Sequence, residues 1–348
     1  MGLSKNCSFW TVSSMLVLTA MVKLGESEFK IFNDFVCAYD DFVVVGHKEP
    51  DGDSISSTLV LAHILKKMGK HCRCLCAGPF KRSETAKYES LFLPEYKPLR
   101  KYKKTALFIV DCSEYSRLGD VIEKQVCALD TFVIDHHKTS VVKKGRSIID
   151  PSSPATVCLI QQLYEHFLGE PKKDMAELLF FGLSTDTGFF RFLDNKSSEA
   201  FYSAGRLVKA GVDPRRAYAD MNNNKPFLTR KLLALSLDRV SVHCSGKLLT
   251  TYETLEDTKN YGRNGRDTDM LYQILMATEN VCAVAVFREE RDKKCTVGLR
   301  SNGDIDVSAI ASRFGGGGHK NASGLSTEGS LKTVMQKVIA EFEKNFNG

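Results

Sequence analysis

Between His47 and Asp53 the chain sets a histidine and two aspartates into seven positions, "HKEPDGD". They follow the apolar run "FVVVG" directly and precede a helical pattern. Carboxylates crowded at the end of a buried strand cost desolvation free energy unless positive charge compensates them. The crowding recurs along the chain. Asp111 ends the run "ALFIVD", Asp135, His136 and His137 end "TFVIDHH", and Asp186 stands in "GLSTDTGFFRF", expected in a loop after a helix.

Each residue has an ordinary structural use. An aspartate after a strand usually caps the next helix, a role that suits Asp53 and Asp111. A lone histidine is more often a satisfied core or surface residue than a ligand. Independent caps, however, do not need three histidines beside five aspartates at three strand ends and one loop. Repulsion among so many carboxylates requires cations. Oxygen and imidazole donors without a thiolate suit Mn²⁺ or Mg²⁺. Two such ions about 4 Å apart can clamp the attacking and leaving oxygens of a phosphoryl displacement and generate hydroxide near neutral pH.

A second cluster lies in "RSNGDIDVSAIASRFGGGGHKNASG". Gly315 to Gly318 allow backbone amides to approach an anion, and His319 adds a side-chain donor. A flexible turn is the alternative, and the neighbouring Arg300, Arg313 and Lys320 favour the phosphate reading. The basic run "KPLRKYKKT", Lys97 to Thr105, could guide a nucleic acid strand, but a solvated loop is the better reading.

Elements must bring these residues together, and the pattern supplies them. "FVVVGH", "RCLCAG", "ALFIVD" and "TFVID" are short apolar runs separated by helical patterns, which indicates a parallel sheet covered on both faces. In "DSISSTLVLAHILKKMG" Ile55, Leu59, Ala62 and Leu65 share a helical face and Gly69 stops the helix. Ligands of such sheets bind beyond the carboxyl ends of the strands, where the acidic residues would converge. Helices are expected over Ala155–Leu168, Lys172–Ser184 and Ser197–Ala210. Hairpin strands follow in "LSLDRVSVHCSGKLLTTYET" and "VCAVAVFREERDKKCTVGLRS", and a last helix runs from Leu331 to Asn345.

Composition sets the outer bounds. The chain has 348 residues, enough for about two domains, with 43% apolar and 26% charged content typical of a globular protein. A net charge of +6 tolerates anionic partners without requiring them. The eleven cysteines form no CxxC pair, and Cys72, Cys74 and Cys76 fall on one face of a strand, so they read as reduced thiols of a cytoplasmic protein. Phe9 to Val22 faintly resembles a signal peptide, but it lacks a clear cleavage site and is too short to cross a bilayer. Alternatively the working chain begins near Met21. No membrane association is expected.

The motifs also match a family. "GHKEPDGDS", "VDCSEYSRLG", "IDHHKTS" and "GLSTDTGFFRF" resemble, in order, the four motifs of the DHH phosphoesterase superfamily. The glycine-rich segment resembles the signature of its associated C-terminal domain, and the form "FGGGGHKNASG" is most similar to the nanoRNase/pAp-phosphatase branch. One departure is "SISST", where many relatives have a glycine before the serine, a matter of packing.

The resemblance implies an α/β fold: a parallel-sheet catalytic domain over 31–195, a helical linker over 196–232 and a smaller α+β domain over 233–348. Residues 1–30 would be an N-terminal extension, and the active site would lie in the cleft between the domains. One ion would be held by His47, Asp51 and Asp111, and the other by Asp53, Asp111, His136 and Asp186. His137 would be the electrostatic or acid–base helper at the scissile phosphate. Asp135 would orient the histidines. Arg117, Arg191, Arg300, His319 and the glycines Gly316, Gly317 and Gly318 would hold the substrate.

The implied activity is Mn²⁺- or Mg²⁺-dependent hydrolysis of short single-stranded RNA to mononucleotides and of 3′-phosphoadenosine 5′-phosphate (pAp) to AMP. Hydrolysis of cyclic or linear dinucleotides such as c-di-AMP is the alternative, and pyrophosphate or polyphosphate hydrolysis is a more remote one. Duplex DNA is not expected as a partner. The family allows a homodimer, although no sequence feature sets one.

Overall fold

The computed structural model describes residues 24–347 apart from 100, 103, 138–145, 196, 224, 263–264, 291–292 and 304. The expectation for the N-terminal segment therefore lies outside the described residues up to position 23. The chain divides into two compact units, residues 1–223 and 224–348.

The first unit opens with α1 (Glu26–Cys37), β1 (Asp41–Val45), α2 (Gly52–Lys67), β2 (His71–Leu75) and the short α3 (Ser83–Ala86). It continues with β3 (Thr105–Val110), α4 (Asp120–Val126), β4 (Asp130–Asp135) and β5 (Ser147–Ile149). The helices α5 (Thr156–Leu168), α6 (Lys173–Asp186), α7 (Ser198–Lys209) and α8 (Pro214–Asn222) complete it. All five strands run parallel in the order β2-β1-β3-β4-β5.

Because successive strand residues face opposite sides, β1 and β3 feed two cores. Phe42, Val44, Phe108 and Val110 join Phe132 and Ile134 against the α1, α2, α5, α6 and α7 layer. Val43, Val45, Leu107 and Ile109 face the other way and pack with Leu118, Ile122 and Val126. Continuous apolar runs follow from burial on both faces. Cys72, Cys74 and Cys76 all point into the first of these cores as free thiols. Burial pushes the Cys74 thiol up to about 11.

The helices α2 and α6 approach closely. A Cβ on Gly182 would stand 2.9 Å from Cβ of Ser56, so Gly182 supplies from the facing helix the small side chain that "SISST" lacks.

Within the stretch expected as a linker, α7 buries Ala200, Ala204 and Leu207 in the first core. The following α8 buries nothing and is capped by Asp213, which accepts from the Arg215 and Arg216 amides. The next helix, α9 (Phe227–Asp238), belongs to the second unit. It takes up "LSLD", expected as strand, because Leu232, Leu233, Ser236 and Leu237 recur at helical spacing and pack inward.

The second unit then runs β6 (Ser241–His243), β7 (Leu248–Glu253), α10 (Leu255–Tyr261), α11 (Thr268–Met276), β8 (Ala283–Glu289) and β9 (Lys294–Ser301). It ends with α12 (Val307–Ser312), β10 (Gly317–His319), β11 (Ala322–Glu328) and α13 (Leu331–Asn347). Its six-stranded sheet has the order β10-β11-β9-β8-β7-β6, with β7 and β8 parallel and the other neighbours antiparallel. One face packs on α12 and α13, the other on α9 and α11. Among the described residues no helix is long and apolar enough to cross a membrane.

Candidate metal centre

Every residue of the acidic constellation sits at or just past the carboxyl end of the parallel sheet. After β1, His47 Nδ1 meets the Lys48 carbonyl at 2.8 Å, which fixes a proton on Nδ1 and leaves Nε2 as a donor to a cation. That Nε2 lies 3.3 Å from Asp111 Oδ2 and 3.7 Å from Asp51 Oδ2. Asp51 caps α2, with Oδ1 accepting from the Ser54 amide at 3.1 Å, so Oδ2 is the oxygen left for the site.

The local cap role that would also suit Asp53 falls to Asp51, and the Asp53 carboxylate is turned to a different helix. Its Oδ2 accepts from the Thr156 amide at 2.7 Å and its Oδ1 from the Val157 amide at 2.8 Å. The Ser57 hydroxyl adds a third bond to Oδ1 at 3.1 Å. Ala155, at the cap position of α5, has no side chain to do this, so the fully buried Asp53 satisfies the first turn of α5 from across the core.

Asp111 follows β3 with φ +60, a conformation that bulky residues avoid and aspartate tolerates. Its Oδ1 accepts from the Thr156 hydroxyl at 3.0 Å. His136 follows β4, and its Nδ1 contacts the Ser153 carbonyl at 3.2 Å. Its Nε2 stands 3.7 Å from Asp111 Oδ1 and 3.5 Å from Asp186 Oδ2. Asp186 is the last residue of α6 and not part of a loop, because the helix runs two residues beyond the expected end.

Asp135 is fully buried one layer behind the cluster. Its Oδ1 accepts from the His137 amide at 3.1 Å and His137 Nδ1 at 2.8 Å, while the Ser113 hydroxyl donates to Oδ2 at 2.5 Å. It therefore orients His137, whereas His136 takes its orientation from Ser153.

Three groups of side chains each bring their ligand atoms within 4.8 Å: His47, Asp51 and Asp111; Asp53, His136 and Asp186; and Asp111, His136 and His137. Imidazole and carboxylate donors at such spacing fit divalent cations of the Mn²⁺ and Mg²⁺ kind. The electrostatics agree. Burial opposes charge on His47, yet its contacts with Asp111 and Asp51 outweigh this and lift the imidazole up to about 10. Burial likewise works against charge on Asp51, and the partnership with His47 outweighs it, holding the carboxyl at about 2.

Asp53 and Asp186 are shifted the other way. Burial pushes Asp53 well above the usual carboxylate range, and the charges of Asp111, Asp186 and Asp51 add to it. Burial and the charges of Asp111 and Asp51 drive Asp186 up to about 6, with His136 working against them. Carboxyls strained in this way gain from a bound dication.

The expected substrate residues lie on separate elements. Arg117 sits on a 3₁₀ turn, Tyr115–Leu118, whose Arg117 carbonyl accepts from the Lys48 amide at 2.7 Å, so the turn docks on the loop carrying His47. Arg191 is exposed, with Nε donating to the Gly188 carbonyl at 2.7 Å and the guanidinium 5.5 Å from the Phe192 ring centroid. In the second unit, Arg300 lies over Tyr272 at 4.5 Å.

Gly317, Gly318 and His319 form the exposed edge strand β10, paired with Gly324, Ser323 and Ala322, in place of an open loop. The Gly315 and Gly316 amides turn back to the Ser312 and Ala311 carbonyls and finish α12. The basic run near Lys97 lies at the opposite, amino end of the sheet, where Tyr102 stacks on His71 at 4.7 Å. There Arg73 bridges Asp41 at 2.6 Å and the Lys97 carbonyl at 2.5 Å.

Four residues of the site escaped the sequence: Ser57, Ser113, Ser153 and Thr156. The only signal for them was indirect, a helix beginning "SPATV" without a capping side chain of its own.

Comparison with known proteins gives the family and the fold. Residues 41–183 match the model of the DHH family, N-terminal domain, and residues 247–347 match the DHHA1 domain. The bifunctional oligoribonuclease and PAP phosphatase NrnA of Thermus thermophilus is 31% identical over 305 residues, covering 85% of this chain and 87% of that protein. The cyclic-di-AMP phosphodiesterase PdeA of Listeria monocytogenes is 28% identical over 331 residues, 89% of this chain and 47% of its own length. Among solved structures, an exopolyphosphatase-related protein from Bacteroides fragilis superposes with a TM-score of 0.80 at 22% identity, covering 94% of this chain and 100% of that one.

Proposed function

We propose a function from the premise that the chain belongs to the DHH family of phosphoesterases. It hydrolyses short oligoribonucleotides to mononucleotides and dephosphorylates pAp to AMP. The observation that carries this reading is the placement of Asp111, whose Oδ2 lies 3.3 Å from His47 Nε2 and whose Oδ1 lies 3.7 Å from His136 Nε2, so that one carboxylate stands between two sets of donors, which suits a pair of ions. His47, Asp51 and Asp111 would hold one Mn²⁺ or Mg²⁺, and Asp53, Asp111, His136 and Asp186 the other. Bound there, the ions would supply Lewis acidity to the phosphoryl group and to the attacking and leaving oxygens.

The chain's own groups do the rest. The hydrogen bond from Nδ1 to Asp135 comes first in raising the affinity of His137 for its proton, with burial working against it. With Nδ1 engaged, Nε2 is the atom that can donate to a leaving oxygen. Arg117 and Arg191 of the first unit and Arg300, Gly316, Gly317, Gly318 and His319 of the second are assigned to substrate phosphates and bases. Reduced thiols suit a cytoplasmic enzyme.

The similarity to PdeA supports a second reading, hydrolysis of c-di-AMP or linear dinucleotides. A turnover panel with Mn²⁺ distinguishes them: pAp, dinucleotides, five-residue RNA, c-di-AMP and pyrophosphate. Mononucleotide release from the short RNAs and phosphate from pAp are expected. Intact Mn²⁺ binding without nucleotide release would sink the proposal, and faster turnover of pyrophosphate than of pAp would move the activity to phosphoanhydrides.

A further inference from the structure

One residue with no charge touches two of the three carboxylates assigned to the His136 side of the centre. The Thr156 amide donates to Asp53 Oδ2 at 2.7 Å, and its hydroxyl donates to Asp111 Oδ1 at 3.0 Å. Thr156 is fully buried, so neither bond competes with solvent. The hydroxyl selects one oxygen of Asp111. Oδ1 is the atom facing His136 at 3.7 Å, whereas Oδ2 faces His47 at 3.3 Å. A carboxylate that serves two ions through separate oxygens needs its plane fixed so that each oxygen points at its own partner.

The backbone of Asp111 is held by its amide, which donates to the Ile134 carbonyl at 3.0 Å. The side-chain plane needs a hold of its own, and among the described residues the Thr156 hydroxyl is the neutral donor that supplies it. Donors are also distributed unequally. Asp53 accepts from the Thr156 and Val157 amides and the Ser57 hydroxyl, and Asp111 Oδ1 from the Thr156 hydroxyl. On the other side Asp51 accepts from the Ser54 amide.

We infer that Thr156 is a positioning residue that makes the two ion positions inequivalent: its hydroxyl sets Asp111 Oδ1 for the ion held by Asp53, His136 and Asp186. The inference rests on the reading of a two-ion centre bridged by Asp111. Partners that orient a ligand from behind typically contribute about 10–100-fold to metal affinity. Thr156→Val keeps the shape and the amide bond to Asp53 and removes only the hydroxyl. Thr156→Ser keeps the hydroxyl.

The test is a titration of the metal-stripped full chain with Mn²⁺, reading free Mn²⁺ by electron paramagnetic resonance, for wild type and both variants. Wild type is expected to bind two ions. In Thr156→Val one binding phase should weaken about 10–100-fold while the other moves by less than about threefold, and Thr156→Ser should stay within about threefold of wild type in both. The Mn²⁺ concentration for half-maximal turnover should rise in Thr156→Val alone.

Binding of a single ion by wild type would overturn the two-ion reading and this inference with it. Two ions in wild type with unchanged or equally weakened phases in Thr156→Val would overturn the inference alone. So would a Thr156→Ser variant as weak as Thr156→Val. Thermal unfolding of the stripped proteins accompanies the titration, and a Thr156→Ala variant that folds but shows no selective loss would also overturn it.

Discussion

Alanine substitutions along the glycine run separate what the fold requires from what a bound anion requires. At Gly316 a Cβ would stand 2.3 Å from the Gly324 carbonyl oxygen and 2.5 Å from Leu325 Cβ, against backbone that cannot swing aside. At Gly318 it would stand 2.6 Å from the Ala322 oxygen, on a residue with φ +145 that side-chain-bearing residues rarely adopt. At Gly317 it would meet nothing within 4 Å. Overpacking of the Gly316 kind costs about 1–3 kcal/mol, and the strained φ at Gly318 adds about as much again. Gly317→Ala should instead stabilise β10 by about 0.5–1 kcal/mol, because alanine loses less freedom than glycine on entering a strand.

At roughly 4 °C per kcal/mol for a unit of this size, Gly316→Ala should lower the melting of the second unit by about 4–12 °C. Gly317→Ala should leave it unchanged or slightly higher. If amides of β10 receive a substrate phosphate, the same methyl stands in the anion's way, so Gly317→Ala should raise KM for pAp while kcat is retained. Calorimetry and steady-state kinetics on the two variants settle both points. Equal destabilisation by both substitutions would refute the hairpin register. A stable Gly317→Ala enzyme with wild-type KM would make the run purely structural.

Two further outcomes are expected. Asp111→Ala removes a ligand common to two groups, so metal-dependent turnover should fall by well over the roughly 100-fold that loss of an outer partner costs, and substantial residual activity would mean the bridge is misassigned. In the second unit, burial works to raise the Asp257 carboxyl, but the paired bonds from Arg239 and those from Thr254 outweigh it and bring it from 3.8 to about 2. A depressed carboxyl stabilises the fold above its unfolded value and loses that contribution as pH falls through the folded one. At 1.36 kcal/mol per pH unit this is worth about 2 kcal/mol, present above about pH 4 and gone near pH 2. Denaturant unfolding of Asp257→Asn should show that deficit at neutral pH and none near pH 2, and a deficit independent of pH would refute the assignment.

How far the sequence could be read depended on how local each determinant is. His47, Asp51, Asp111, His136 and His137 were legible because strand ends of a parallel sheet converge and the residue types are costly anywhere else. Asp53 was legible as a site residue but not in its bonding, since Asp51 takes the local cap and the partner of Asp53 lies 103 residues on. Ser153 and Thr156 carry no charge and sit in "DPSSPATV", where only packing tells a ligand's support from an ordinary turn. Four glycines in a row cannot reveal whether the chain stays open or pairs, and here Gly317 to His319 pair as an edge strand. The run "LSLD" is too short for period alone to choose between helix and strand, and contact with the second unit's sheet decided for helix.

The bond between Asp53 and the start of α5 also sets an order of events during synthesis. His47, Asp51, Asp53 and Asp111 leave the ribosome well before Thr156 and Val157, which stand 103 and 104 residues beyond Asp53. Contacts of such sequence separation close late, after the shorter loops have formed. Until α5 arrives, the Asp53 carboxylate remains solvated and the pocket is not yet a cage. A cation held at this cluster would therefore meet Asp53 in its final orientation only after α5 has docked.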